Sequence, residues 1–440
     1  MIHKLFMKIT NSLMRWLIRQ LLKNRILTSY LRETFTEART GCSPESDIVE
    51  ARLLNCRESS FNSPRLNLLV PGLSIQHVFG GISTALSFFE TMGKGIENLR
   101  IIIIDEIDFK LENNPNYSHW NICTLEDNDR PGYTIVVAGD RQNRTLSVSA
   151  NDRFVATAWW TATLATHIQK WQFANYKLNK KGKFVYLIQD FEPGFYPWSS
   201  RYALAESTYH DSSQYIAVFN SSFLKSFFDA EKYNFTDAFI FEPTLHPKLR
   251  DELRHEHRLP KERRVLVYGR PGTKRNAFQI IVMALKLWVA NNPGSDWQFV
   301  SAGEKHPPVN LGGDKYLTSL GKLSLNEYAN ELSRASIGIS LMISPHPSYP
   351  PLEMAAFGIR TITNRYKGKD LSLLTSNIVS IGTVDSFTLT TTLDDCMRAL
   401  AINQHPKLDE KRSSAWVEYL ESNGGFENIC EKIRPLFLTD

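Results

Sequence analysis

Short apolar runs, closed by glycine, proline or acidic residues, recur along most of this chain, and the stretches between them repeat their apolar positions at helical spacing. Arg65-Leu-Asn-Leu-Leu-Val70 is the first such run, and Pro71-Gly72 ends it. A strand covered by helices on both faces needs a run of this kind rather than an alternation of apolar and polar. Ile101–Ile104, ended by Asp105-Glu106, fits the same description, as do Tyr133–Ala138, Phe154–Ala156, Phe184–Ile188 and Tyr215–Phe219. Helical patterns fall between most of them, beginning with Gly80-Gly81-Ile82-Ser83-Thr84-Ala85-Leu86-Ser87-Phe88-Phe89. Strands alternating with helices predict a parallel, doubly wound sheet.

The alternation restarts after Pro243. Arg264–Tyr268 reads as a strand ending at Gly269-Arg270, and Ala277–Val289 as a helix. Trp297–Ser301, Ile337–Ile343, Ile359–Thr363 and Ile378–Ile381 read as further strands, with an amphipathic helix at Leu325–Arg334. The chain is thus an α/β protein of two Rossmann-like sheets. A first extension covers residues 1–63, the first sheet domain 64–243, the second 244–415, and a closing helical segment 416–440, broken at Gly424-Gly425. In open sheets of this kind ligands bind at the carboxyl ends of the strands, so two facing sheets would line one cleft.

Bulk properties change this picture little. At 440 residues the chain is too long for one core and suits two domains of about 200 each. A net charge of +5 does not call for nucleic acid as a partner. Five scattered cysteines, with no C-x-x-C pair, argue against a disulfide framework or a zinc site and fit a reducing, cytoplasmic setting. Residues 1–30 are the exception: six basic residues and no acid are interleaved with apolar positions at helical spacing. Charges interrupt every apolar run, which excludes a membrane span. Such a helix either lies on the anionic, cytoplasmic face of a membrane or packs on its own domain.

The richest stretch for chemistry is Ser344-Pro-His-Pro-Ser-Tyr-Pro-Pro-Leu-Glu-Met-Ala-Ala-Phe-Gly358. It follows a buried strand and opens a helix with Pro350-Pro351 in the first turn, where missing N–H groups cost least. Free amides there suit a phosphate, and Glu353 either receives sugar or ribose hydroxyls or only complements the helix dipole. A second cluster, Tyr268-Gly269-Arg270-Pro271-Gly272-Thr273-Lys274-Arg275-Asn276, sets three cations in a Gly/Pro loop after a strand. A diphosphate needs fixed N–H donors and bidentate arginine in this way. Arg270 is the first choice; Lys274 and Arg275 have the simpler reading of a solvated turn, and Lys322, in Leu320-Gly321-Lys322-Leu323, is a further candidate cation.

These stretches resemble the donor half of family 4 glycosyltransferases of the GT-B fold, and within them the rhamnan-synthesis rhamnosyltransferases, the WsaF-like group. Pro71-Gly72, Gly80-Gly81-Ile82-Ser83, Ala158-Trp159-Trp160-Thr161-Ala162 and the distinctive Tyr186-Leu-Ile-Gln-Asp-Phe-Glu-Pro-Gly-Phe-Tyr-Pro-Trp198 carry the resemblance into the first half. It implies a transferase of bacterial surface polysaccharide synthesis with dTDP-β-L-rhamnose as donor, a rhamnose-containing or lipid-linked glycan as acceptor, and retention at the anomeric carbon. By the same implication Arg270 and Lys322 contact the diphosphate and Tyr349 and Glu353 the nucleotide or sugar; Gly269, Lys274 and Ser348, from the same two stretches, are further donor-side candidates. Many family 4 enzymes carry a glutamate eight residues before the position of Glu353; here Pro345 stands there.

On the acceptor side the candidates are His77, Gly80, Gly81, Trp159, Trp160, Asp190, Glu192 and Tyr196. Bare glycine backbone lets a ligand approach closely, aromatic faces suit a sugar ring, and carboxylates suit its hydroxyls. Trp159 and Trp160 have the alternative of being core, and His77 of capping the helix beside it. The acids of Asp105-Glu106-Ile107-Asp108 and Asp127-Asn128-Asp129 read as strand-end acids and an Asx-rich turn, so neither metal nor cofactor is expected. A sugar-nucleotide epimerase of the same fold, or a non-catalytic nucleotide- or glycan-binding subunit, are the competing functions.

Overall fold

The computed structural model describes residues 48–75, 80–254, 261–402, 413–422 and 424–437. Of a first unit, Met1–Arg52, only the last five residues are described, with a 3-10 turn at Val49–Ala51; the basic extension of residues 1–30 lies outside the described residues. The second unit, Leu53–Asp440, carries all the strands among the described residues.

The strands of its first half are β1 (Asn55–Glu58), β2 (Arg65–Val70), β3 (Asn98–Ile103), β4 (Asn121–Cys123), β5 (Tyr133–Val137), β6 (Thr145–Val148), β7 (Asp152–Ala156), β8 (Phe184–Ile188), β9 (Tyr215–Asn220) and β10 (Ala238–Phe241). Eight form one sheet in the order β10-β9-β8-β7-β2-β3-β5-β4, every neighbour parallel, while β1 and β6 pair separately. The pleat sorts β2 between two cores: Leu66, Leu68 and Val70 pack with Phe88, Phe89 and Met92 of the helix Gly80–Met92, and Leu69 packs on the other face with Phe154 and Tyr186. The second half adds β11 (Glu262–Gly269), β12 (Gln298–Gly303), β13 (Val309–Gly312), β14 (Lys315–Gly321), β15 (Ala335–Ile339), β16 (Arg360–Asn364) and β17 (Ile378–Ile381). Their order is β13-β14-β12-β11-β15-β16-β17, parallel except for β13. Two doubly wound sheets are therefore present, as the alternation predicts.

Three differences from the expectations have physical causes. The strand expected over Ile337–Ile343 ends at Ile339. Leu341 and Met342 remain apolar because the turn itself is buried, and the Asn364 amide closes that turn, accepting from Met342 N–H at 2.7 Å and donating to its carbonyl at 3.1 Å. The antiparallel strand β13, which forms a hairpin with β14, has a half-polar pattern that contiguous-run reasoning misses. The closing segment is two helices with different loyalties. Trp416 and Tyr419 of Ser414–Glu421 pack with Leu266 and Met354 of the second half, whereas Ile429, Cys430, Ile433 and Phe437 of Glu427–Phe437 pack with the first.

The amino ends of β2, β3 and β7 bury a charge cluster. Arg65 bridges Asp152 and Asp129 at 2.7 Å each, Arg100 reaches the same two acids at 3.2 and 3.1 Å, and Arg100 Nε donates to Asn67 at 2.6 Å. Asp129, expected in an Asx-rich turn, belongs to this network, where against its burial the two arginines hold it down to about 2. Glu106 caps the loop after β2, accepting from Leu73 and Ser74 N–H at 3.1 and 3.2 Å and from the Ser74 hydroxyl at 2.8 Å, and a Cβ on Gly72 would collide with it. Both acidic stretches thus have structural work, and among the described residues no group of three His, Cys, Asp or Glu is placed to hold a metal.

Candidate functional site

The carboxyl edges of the two sheets touch. Asp190, two residues beyond β8, accepts a hydrogen bond from Ser344 Oγ in the loop after β15, and its other oxygen lies 3.7 Å from Arg275 Nε. Asn220, the last residue of β9, donates to the Tyr349 hydroxyl at 3.1 Å. These contacts bring the carboxyl ends of β8 and β9 against the loops that follow β11 and β15.

In the second half β11 runs out at Gly269, where a Cβ would stand 2.5 Å from Ser301 Oγ, so the neighbouring strand leaves room for glycine alone. Glu304, beyond β12, donates its N–H to Gly269 O at 2.8 Å and takes the Gly272 N–H at 3.0 Å. This clamps the loop that carries Arg270, which is half-buried, and Lys274, which is exposed. Lys322, exposed, follows β14. Arg275 behaves differently from the solvated residue that the simpler reading makes of it. Its guanidinium stacks over the Phe195 ring at 4.3 Å, and its backbone carbonyl receives the Ile343 N–H at 2.8 Å. The sequence signal was present, since Arg275 stands in the cationic loop, but its partners come from residues 190 and 195.

The Ser344–Gly358 stretch is folded tightly. Ser344, His346 and Ser348 are all buried, and Ser348 takes a φ of +68°. That left-handed turn directs its N–H onto His346 Nδ1 at 3.0 Å. Pro350 and Pro351 open the short helix Pro350–Ala356, with Tyr349 just before it. Burial raises the Tyr349 phenol and pushes Glu353 up to about 7, a nearby Tyr328 opposing the latter shift. Lys369, which sequence reasoning did not single out, lies buried beneath this loop and donates to the carbonyls of Met342 at 2.8 Å and His346 at 3.3 Å. Burial draws it down to about 7, Asp190 opposing. The same burial, with Lys369 and Arg275 close by and Asp190 opposing, lowers His346 to about 4.

On the first-half side Glu192 is buried and accepts the Trp159 N–H at 2.5 Å. Burial and the charge of Asp190 raise it to about 8, against the Trp159 bond and Arg275. Trp159 corrects the expectation of a sugar-facing ring: it is 0% exposed, and its indole N–H donates to the Tyr196 hydroxyl at 3.0 Å, so it belongs to the core beneath the site. Trp160 is partly buried, Gly80 and Gly81 are exposed at the start of their helix, and a Cβ on Gly81 would sit 3.4 Å from Gln189 Oε1. His77 lies outside the described residues. Several buried polar atoms on these segments find no hydrogen-bond partner among the described residues: Gln189 Oε1, Trp160 Nε1, Asn220 Oδ1, Arg275 Nε and His346 Nε2. Buried polar groups are satisfied in nearly all native structures, so a ligand rich in hydroxyl and phosphate oxygens suits this cleft.

Models of the WsaF N-terminal domain and the WsaF C-terminal domain match residues 65–222 and 263–394. The O-antigen biosynthesis protein RfbC of Myxococcus xanthus is 28% identical over 293 residues, which make up 66% of this chain and 21% of that protein. The chain therefore spans about a fifth of the length of the curated relative it matches. Among solved structures, a glycosyltransferase from Rickettsia africae ESF-5 superposes with a TM-score of 0.54 at 15% identity, covering 86% of this chain and 98% of that one. Sucrose-phosphate synthase from Thermosynechococcus elongatus gives 0.51 at 12% identity, covering 85% and 98%. At such identities the likeness is one of fold, the paired Rossmann-like sheets of the GT-B class. No helix among the described residues is long and apolar enough to cross a membrane.

Proposed function

The chain belongs to the WsaF family, and from that premise we propose that it is a glycosyltransferase of bacterial surface polysaccharide assembly, moving L-rhamnose from dTDP-β-L-rhamnose to a rhamnose-containing or lipid-linked glycan with retention of configuration. The observation that carries the proposal is the contact of Asp190 with Ser344 and Arg275, which joins the carboxyl edges of two open parallel sheets around buried, unpartnered polar atoms. The name of the Myxococcus relative, an O-antigen biosynthesis protein, supports the polysaccharide setting.

Negative charge grows on the diphosphate as the glycosidic bond to phosphate breaks. Arg270 and Lys322, at the ends of β11 and β14, meet that charge where it develops, which stabilises the transition state more than the bound donor. Asp190 and the aromatic residues of the Phe191–Trp198 loop hold the acceptor hydroxyl against the anomeric carbon. Attack takes place on the face that the diphosphate leaves, and a departing phosphate oxygen collects the acceptor proton. The contact between the two halves excludes water, which would otherwise hydrolyse the donor.

A thermal-shift panel across dTDP-, UDP- and GDP-sugars, followed by NMR of the product, tests this. At a ligand concentration of 100 Kd the true donor stabilises the fold by about 2.7 kcal/mol, and dTDP-rhamnose is expected to stand out. A shift with UDP- or GDP-sugars alone overturns the donor assignment. Interconversion of sugar nucleotide without acceptor would identify an epimerase, and binding without turnover a non-catalytic subunit. An inverted product linkage overturns retention.

A further inference from the structure

We infer that His346 reads the transferred sugar: its Nε2–H donates a hydrogen bond to a ring hydroxyl of the donor glycosyl group. The inference rests on the reading of the cleft as a nucleotide-sugar site. Its basis is the tautomer. Nδ1 accepts the Ser348 N–H at 3.0 Å, so Nδ1 holds its lone pair and the ring proton sits on Nε2. The imidazole is 8% exposed, and Nε2 is buried with no acceptor among the described residues. A donor fixed in direction, enclosed and unmatched is left for a ligand oxygen.

The ring is neutral, since burial beside Lys369 and Arg275 outweighs the pull of Asp190. An uncharged donor is matched to a hydroxyl oxygen, whereas phosphate oxygens are better met by cations. Position agrees with chemistry. Arg270 and Lys322 follow β11 and β14, but His346 follows β15, and Lys369, from the loop beyond β16, props its carbonyl at 3.3 Å. In the strand order β14-β12-β11-β15-β16, β15 adjoins β11 on the side away from β14 along one carboxyl edge. A diphosphate held over the cations directs its sugar toward β15, under the contact that joins Asp190 to Ser344.

Two substitutions separate this role from a structural one. His346→Asn keeps a side-chain oxygen near Nδ1 for the Ser348 N–H and removes the Nε2 donor; His346→Gln keeps an N–H near Nε2. Calorimetry with dTDP and with dTDP-β-L-rhamnose is paired with transfer kinetics, and a melting temperature is taken for each variant. For His346→Asn we expect dTDP affinity within twofold of the wild type, roughly tenfold weaker dTDP-rhamnose binding and roughly 100-fold lower kcat/KM, from loss of a buried donor's partner. His346→Gln should recover most of both losses. Equal weakening of dTDP and dTDP-rhamnose in His346→Asn, or wild-type transfer by that variant, overturns the inference. If His346→Asn does not fold, a His346→Gln protein that binds dTDP normally but loses dTDP-rhamnose also overturns it, and one that keeps both ligands supports it. A wild type that binds no dTDP-rhamnose brings down the underlying donor reading first, and a wild type that binds it while His346→Asn is silent brings down this inference alone.

Discussion

Two clusters of buried charge sit at opposite ends of the strands, and they are built on opposite rules. At the amino ends, Arg65, Arg100, Asp129 and Asp152 lie within 2.7–3.2 Å of their partners, each acid shared by both arginines. At the carboxyl ends, Asp190 and Arg275 stand 3.7 Å apart, too far for a hydrogen bond. Glu192 and Glu353 are pushed up to about 8 and about 7, Lys369 is drawn down to about 7 and His346 to about 4. In the first cluster the charges satisfy one another, so it serves the fold. In the second, groups are held near neutrality or left without partners, a cost that is retained where a ligand will supply what is missing.

The sharpest way to break this contrast is to unpair the first cluster. Asp152→Ala leaves two buried guanidinium groups short of an acid and is expected to cost about 3–5 kcal/mol in urea unfolding, with nucleotide affinity of the folded fraction unchanged. Loss of nucleotide binding without loss of stability would mean the cluster has been misread. The second region should answer in the opposite sense. Arg270→Ala combined with Lys322→Ala is expected to lower kcat/KM roughly 10³-fold, about 4 kcal/mol of barrier, while the melting temperature stays within a few degrees, since one side chain is half-buried and the other exposed. Unchanged transfer and donor affinity in that double variant would remove the leaving-group argument altogether.

The smallest expected effect lies in the pH dependence of stability. His346 titrates at about 4 when folded and near 6.5 when unfolded. Between those values the unfolded chain binds a proton that the folded one refuses, so the contribution is fully present above pH 6.5 and is lost as pH falls toward 4. The size is on the order of 3 kcal/mol at most. Urea midpoints taken from pH 7 to pH 4 should decline less steeply for His346→Asn than for the wild type; parallel curves would show that the imidazole is not held neutral by the fold.

The folding class was legible because burial on both faces forces contiguous apolar runs, and β2, β8 and β17 lie where those runs place them. The donor loop was legible too, as cations in a Gly/Pro turn after a strand. Trp159 stayed open between site and core because an aromatic residue beside a site and one beneath it have the same sequence signature; the 0% exposure and the bond to Tyr196 decide for the core. Lys369 left no local trace, and the cationic loop that marked Arg275 gave no sign of its partners Asp190 and Phe195.

Composition and periodicity alone thus determine that the chain makes two parallel sheets and where their carboxyl ends fall, because strand burial and strand direction are written in local pattern. Which charges meet is decided only when residues as distant as Asp190 and Ser344, or Met342 and Lys369, come together. Partnership across such separations sets desolvation and hydrogen bonding, and through them which groups stay charged and which are left waiting for a ligand.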